Sequence, residues 1–401
     1  MSHLDTSFSV PSHVPESAVV DFDFYNLSLG EFSDPQSLMG SLLEGRSPRM
    51  FYTPRNGGHW VIGGYRDLLA AMRDTAHFSS ISKQIPAMED EPKLIPFNQD
   101  PPEHGPFRGV LNEAFSEQRI ALMEEEIRAL TIATIEEVAS TGHTEFVESV
   151  SEPIPTLVFM KLLGLPNEKY REFRNAVDAF LSDVEGRAAA VDFLNEQIAL
   201  LIAERRTEPR DDFISRLLSA EVNGRKLEKS ELYGFIQLLI LGGLDTVMNA
   251  MSFGIRHLAI DPETQNSLRN DPSKIPSATE ELLRRYAFAN IGRLMVDDID
   301  FKGVKMKKGD RVLLMTSGAG IDPTEFSDSY EFDIDRRQKI NAAFGFGVHR
   351  CVGLHLARLE LRVLYEEWLK RIPNFRIDSA DKPIFNGGVI MGLKHLPLVW
   401  G

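Results

Sequence analysis

The sequence predicts a mainly α-helical protein with small β-sheets, folded as a single domain. Three observations predict it. Apolar residues recur at helical spacing through most of 106–286 and again over 354–371. Runs that read as strands are short and few. No linker, low-complexity segment or internal repeat interrupts the 401 residues. Length alone allows roughly two to three domains, but the unbroken pattern favours one large core, for which 43% hydrophobic content is ample.

The elements follow in order. Residues 1–25, with Pro11, Pro15 and several serines, are expected as a loosely ordered lead, and 26–401 as the domain. Met50 to Thr53 and His59 to Gly63 flank Asn56-Gly57-Gly58, a hairpin signal. Tyr65 to Thr75 reads as a short helix. From Phe78 to Pro102 the chain is aperiodic and carries five prolines: Pro86, Pro92, Pro96, Pro101 and Pro102. A stretch of that length inside a compact protein is commonly a functional loop. Helices are then expected over 106–115, 117–140, 168–184, 187–206, 211–219, 229–258, 262–269, 276–286 and 354–371. Ser230, Asp261-Pro262 and Asp271-Pro272 mark helix starts. Ile299–Phe301 is expected to pair with Val312–Met315 across the Lys307-Lys308-Gly309-Asp310 turn, and a last strand to cover Val389–Leu398.

Composition excludes several function classes. Lys plus Arg is 44 and Asp plus Glu is 59, a net charge of −15, which disfavours nucleic acid as a partner. The single cysteine, Cys351, rules out an intramolecular disulfide and a Cys-rich metal site, and suits a reducing cytoplasm. No signal peptide or membrane anchor is expected: the apolar tract Phe235 to Ile255 is interrupted by Gln237, Asp245 and Asn249.

Cys351 carries the first chemical signal. A lone cysteine is ordinarily a buried apolar residue. This one follows Phe344-Gly345-Phe346-Gly347-Val348-His349-Arg350 and precedes Val352-Gly353 and an amphipathic helix. The glycines allow close approach of the backbone to another body, and a helix N-terminus with neighbouring cations favours a thiolate. A second signal is Leu241-Gly242-Gly243-Leu244-Asp245-Thr246, where an acid and two glycines interrupt an otherwise apolar helix. Each glycine costs about 1 kcal/mol there, and an unpaired buried acid costs more, so the tract implies room for a ligand and a route for protons. Glu281 and Arg284 share one helix face, where a simple surface ion pair is the ordinary expectation.

Together these motifs resemble those of the cytochrome P450 superfamily. Phe344, Gly347, Cys351 and Gly353 fill the family's haem-binding loop, Phe-x-x-Gly-x-x-x-Cys-x-Gly. The tract through Asp245 and Thr246 resembles the distal oxygen-activation motif, and Glu281-Leu282-Leu283-Arg284 with Arg336 resembles the structural Glu-x-x-Arg triad. His104, Arg108, Arg293 and His349 are similar to ligands of the haem propionates. The resemblance runs from about Asp21 to the C-terminus and is strongest to the bacterial camphor-hydroxylase (camphor 5-monooxygenase) family.

The resemblance implies a single-domain P450 fold, a triangular prism with haem between the long central helix and the Cys-loop helix. It implies haem b (iron protoporphyrin IX) with Cys351 as metal ligand, and Asp245 and Thr246 as the catalytic proton relay. Dioxygen and a small apolar substrate would be consumed by a cytoplasmic, monomeric monooxygenase, away from any membrane. Electrons would come from a 2Fe–2S ferredoxin and its NAD(P)H-dependent reductase, docking near Arg108, Arg350 and Arg358. Two other readings stay open at this stage: a peroxide-using or isomerising haem-thiolate enzyme, and a non-catalytic haem sensor. The substrate pocket is expected from Leu94, Phe97, Leu241, Leu244, Val247, Ala289, Val389 and Ile390. Camphor-hydroxylating members carry a Tyr just before Asp-Pro-Pro-Glu that holds the substrate ketone. Here no Tyr occurs between Tyr65 and Tyr170, so the expected substrate is a terpenoid or norisoprenoid such as an ionone, held by shape.

Overall fold

The computed structural model describes residues 9–89, 91–182, 186–337 and 341–401. Its helices are α1 (Pro35–Ser41), α2 (Tyr65–Arg73), α3 (His104–Ala114), α4 (Glu117–Ala121) and α5 (Glu124–Ala139). There follow α6 (Pro153–Leu163), α7 (Tyr170–Ser182), α8 (Arg187–Thr207), α9 (Phe213–Ser219) and α10 (Lys229–Ile260). The series ends with α11 (Pro262–Asn270), α12 (Ile275–Arg285), α13 (Thr316–Ala319) and α14 (Leu354–Arg371). The mainly α architecture with small sheets matches the expectation.

The central helix α10 is 32 residues long and mostly buried. By length and composition alone it could cross a membrane, but here it is the core helix against which α6, α12 and α14 pack. Its start is set by Glu228 and not by Ser230. Glu228 and Glu231 form a capping box, the Glu231 carboxylate accepting the Glu228 N–H at 2.7 Å. Asp261 ends α10 and caps α11 by accepting the Thr264 N–H at 3.0 Å, with Pro262 in the first turn.

The largest sheet has five strands: β1 (Met50–Thr53), β2 (His59–Ile62), β3 (Phe78–Ser79), β7 (Ile291–Met295) and β10 (Arg311–Leu314). Short strands outside this sheet are β4 (His143–Glu145), β5 (Glu221–Val222), β6 (Arg225–Lys226), β8 (Ile299–Phe301) and β9 (Val304–Met306). The order in the large sheet is β1-β2-β10-β7-β3, with β10 parallel to β2 and antiparallel to β7. At the C-terminal end lie β11 (Phe375–Ile377), β12 (Ile384–Asn386), β13 (Gly392–His395) and β14 (Pro397–Trp400).

Several expectations change. Ile299–Phe301 pairs with Val304–Met306 through Lys302 and Gly303, both at positive φ, and not with 312–315. That tight turn closes the hairpin before the Lys307–Asp310 turn is reached. The span 117–140 breaks at Leu122, which is 85% exposed, so that α5 lies along α14. Helix α6 is absent from the sequence reading because Pro153 and Pro155 look like breakers. They sit in its first turn, where their missing N–H groups cost nothing. Of the expected loose lead, 9–25 packs on the body: Val14 is buried and the Val20 N–H donates to the Tyr52 carbonyl at 2.8 Å. The rest of that lead, 1–8, and residues 183–184 of an expected helix lie outside the described residues.

Candidate active site

The loop before α14 is built around Cys351. The Cys351 N–H donates to the Phe344 carbonyl at 2.8 Å, folding the segment back on itself. Gly347 has φ +73°, and a Cβ there would stand 2.8 Å from the Met72 carbonyl of α2, so this position requires glycine. Phe344 is covered by the Arg358 guanidinium, 4.7 Å from its ring. The Gly353 N–H at the start of α14 favours the charged form of the Cys351 sulfur. The Cys351 side chain is exposed, yet protein surrounds it closely enough that burial outweighs every other influence and raises the thiol above its ordinary value. Gly353, Arg108, Arg358 and Arg350 pull the other way without prevailing. Burial thus works against the thiolate that helix and cations favour.

Close to this loop the fold gathers nitrogen donors. His104 at the start of α3, Arg293 on β7 and His349, two residues before Cys351, are brought together from distant parts of the chain. The His104 and His349 rings lie 4.3 Å apart, and Nε2 of each is buried without a hydrogen-bond partner. Burial and the neighbouring cations Arg108 and Lys83 lower His104 to about 4. His349 falls to about 2 through burial, with Lys83, Arg293, His104 and Arg108 all acting in the same direction. Burial lowers Arg293 to about 10; its guanidinium donates to the Gly292 carbonyl at 2.9 Å. Arg108 donates to the Arg350 carbonyl and, at 2.8 Å, to Asn112, bracing the Cys351 loop, and its remaining donors are left over.

Lys83 belongs to this cluster and no sequence motif marks it. It is buried, and its charge acts on both histidines.

On α10, Gly242 and Gly243 separate in role. A Cβ at Gly242 would meet nothing within 4 Å, whereas one at Gly243 would stand 2.4 Å from the Phe159 ring. Only Gly242 leaves room for a ligand; Gly243 lets α6 approach. The Thr246 hydroxyl donates to the Gly242 carbonyl at 2.9 Å, so its lone pairs remain able to accept. Asp245 is held at both oxygens, by Arg174 of α7 at 2.9 Å and by Asn249 at 3.0 Å. Arg174 also binds Asp178 and lies 3.6 Å from Glu152, which accepts from the Tyr170 hydroxyl at 2.7 Å. The acid thus ends a chain of charged groups that sequence spacing could not reveal.

The expected pocket residues fall into two adjoining packing groups along α10. Leu94, Phe97, Leu241 and Leu244 share one; Val247, Ala289, Val389 and Ile390 share the other. Ala289 bridges Ile390, and the Asn290 N–H donates to the Val389 carbonyl at 2.8 Å. Glu281, Arg284 and Arg336 also meet: Arg284 grips Glu281 with bonds of 2.7 and 2.9 Å, and Arg336 adds one of 2.9 Å.

The family model for cytochrome P450 matches residues 144–277 and 274–395. "Probable cytochrome P450 127A1" from Sinorhizobium fredii (strain NBRC 101917 / NGR234) is 35% identical, covering 98% of this chain and 97% of that relative. The chain belongs to the cytochrome P450 family. Among solved structures, CYP101J2 superposes with a TM-score of 0.92 at 32% identity, covering 98% of this chain and 99% of that one. CYP101C1 gives 0.90 at 31%, covering 98% and 100%. The "Steroid C26-monooxygenase" of Mycobacterium tuberculosis (strain CDC 1551 / Oshkosh) is 31% identical over 84% of this chain and 93% of its own length. As a member of this family the protein is a haem b monooxygenase.

The residues present fit haem b. Its two carboxylates call for buried donors, and the unpartnered nitrogens of His104 and His349, with Arg293, supply them. Its iron calls for a soft axial ligand, and Cys351 stands two residues from that cluster.

Proposed function

We propose that this P450 hydroxylates a small apolar terpenoid or norisoprenoid, such as an ionone, with dioxygen and electrons from a 2Fe–2S ferredoxin and its NAD(P)H-dependent reductase. The observation that carries the catalytic part is the pairing of Cys351 in its glycine loop with an intact Asp245–Thr246 device on α10. When bound, the haem supplies dioxygen activation, and a thiolate ligand favours O–O cleavage. Cys351 holds the cofactor as that ligand; Arg293, His104 and His349 orient it through its carboxylates, and Phe344, Gly347 and Gly353 shape the loop. Thr246 accepts and donates hydrogen bonds beside the Gly242 gap, and Asp245 delivers protons by exchanging its Arg174 partner for water. Peroxide-using enzymes and sensors have no need of such a relay, so it supports oxygen activation over both.

The apolar lining supports a greasy substrate: Leu241, Leu244 and Val247 of α10 are buried, as is Leu94 of the 91–98 segment that would roof the substrate. The names of two relatives, the steroid monooxygenase and a "Vitamin D3 dihydroxylase" of Streptomyces griseolus, also point to hydrophobic molecules for those proteins. For the ferredoxin, Arg108 and Arg350 carry no carboxylate partner among the described residues, while Arg358 is bound by Glu280 at 2.5 and 2.9 Å. The docking face is therefore less basic than expected, and Val348, 43% exposed, adds an apolar contact beside Arg350. Residues 26–401 act as one soluble, cytoplasmic, monomeric unit.

The test is turnover of β-ionone with a reconstituted ferredoxin system. Thr246→Ala should divert electrons into hydrogen peroxide, and Asp245→Asn should slow turnover by about 10²–10⁴. Turnover and coupling unchanged in both variants would refute the relay, and a camphor affinity far above that of ionones would refute the substrate class.

A further inference from the structure

Lys83 lies in the irregular segment between β3 and α3 and is 5% exposed. Its backbone is pressed against the strand that carries Arg293: a Cβ on Gly292 would stand 1.9 Å from the Lys83 carbonyl oxygen. Its ammonium donates to the Phe97 carbonyl and sits 3.1 Å from the centre of the Phe97 ring. An ammonium has three donors, so this contact leaves two to be met.

The carboxylates nearest in effect are Asp100 and Glu91, and neither forms an ion pair with Lys83 among the described residues. Asp100 binds the Ser79 hydroxyl and, at 2.8 Å, the Ser80 N–H. Glu91 accepts from the Ser82 hydroxyl at 2.7 Å, the Lys83 N–H at 3.0 Å and Asn98 at 3.0 Å. What surrounds the Lys83 charge instead is Arg293, His104 and His349. Burial first, and the Arg293 charge after it, work against the Lys83 ammonium while its nearest acids are engaged elsewhere, so an anion from outside the chain is what would hold it charged.

We infer that Lys83 is a positioning residue with two attachments, pairing with a carboxylate of the haem while holding Phe97. Seating of the cofactor and closure of the 91–98 roof over the substrate are then one event. This assignment rests on the haem reading above, and it uses a residue that the family's loop, distal and propionate motifs do not include.

The experiment compares wild-type holoenzyme with Lys83→Met, Lys83→Arg and Phe97→Ala. Two rates are measured: haem transfer to excess apomyoglobin, and binding of 4-phenylimidazole to the iron, which must pass the roof. Loss of one charge-assisted bond should speed haem transfer roughly 10- to 100-fold in Lys83→Met, with faster 4-phenylimidazole entry. Lys83→Arg should restore slow transfer, and Phe97→Ala should alter entry alone. Haem transfer in Lys83→Met within twofold of wild type, or equally fast in Lys83→Arg, would overturn the inference. So would faster transfer with unchanged entry. A wild type lacking the red-shifted reduced carbonyl band would contradict the haem-thiolate reading itself, an outcome distinct from all of these.

Discussion

Two buried charge clusters in this protein look alike in composition and differ in closure. Around Glu281 the chain satisfies itself. Arg284 and Arg336 share one carboxylate, and their remaining donors reach the carbonyls of Gly320, Ser327, Ser329 and Glu331 at 2.6–2.8 Å. Both members of the Glu281–Arg284 pair are fully buried. Around Arg293 the chain leaves donors unpaired: Lys83, His104 and His349 add positive or protonatable nitrogen, and Asp100, the acid that acts on Arg293, His104 and Lys83, forms no ion pair with them among the described residues. A closed cluster fixes structure, here pinning 327–336 to α12. An open one has room for a partner the chain does not contain, and on the reading proposed above two carboxylates of haem b would fill it.

The largest expected effect breaks the closed cluster. Glu281→Gln leaves two buried guanidinium groups without a counter-charge and should cost about 3–5 kcal/mol. Urea unfolding checks it, and the loss should be the same with or without haem. A loss confined to the haem-loaded protein would erase the distinction between the clusters.

Next comes pH. His59, buried in β2, is lowered to about 4 by burial, and His104 is lowered to about 4 by burial first and by Arg108 and Lys83 after it. An unfolded His takes up its proton near pH 6.5 and these folded ones near 4. Stability is therefore full above about 6.5 and falls by roughly 3 kcal/mol per residue as pH drops to 4. Carboxylates of haem should raise His104 and leave His59 unmoved, so NMR titration of ring protons in a diamagnetic zinc-porphyrin form should separate them. Equal values for the two in both the loaded and the haem-free protein would count against an anion at the open cluster.

The smallest effect extends the comparison to α10. Gly243→Ala should lose about 1–3 kcal/mol against the Phe159 ring. Gly242→Ala should gain up to about 1 kcal/mol in thermal stability, because nothing of the chain occupies that side. Equal effects at both positions would mean that α10 has no open face.

The closed cluster was legible in the sequence from local spacing, whereas His104, Arg293 and His349 of the open one were named only through the family resemblance and Lys83 not at all. Glu281 and Arg284 are three apart, and the Phe344–Gly353 loop is one continuous segment, so local pattern carries both. The capping of α11 by Asp261 was likewise written locally. Arg174 reaches Asp245 across 71 positions and Lys83 reaches Phe97 through an aperiodic loop, so spacing says nothing of either. The two glycines of α10 read identically in sequence, and only the position of Phe159 tells them apart. Pairing of Ile299–Phe301 was misassigned because the Lys302-Gly303 turn competes with a stronger-looking turn five residues later.

The central claim is that the open cluster awaits the carboxylates of haem. It is tested most directly by comparing the affinity of the haem-free protein for iron protoporphyrin IX with that for its dimethyl ester, which lacks both charges. The ester should bind at least about tenfold more weakly to wild type, and this ratio should shrink in Arg293→Met, where part of the cluster is already gone. Equal affinity of wild type for the acid and the ester would contradict the account.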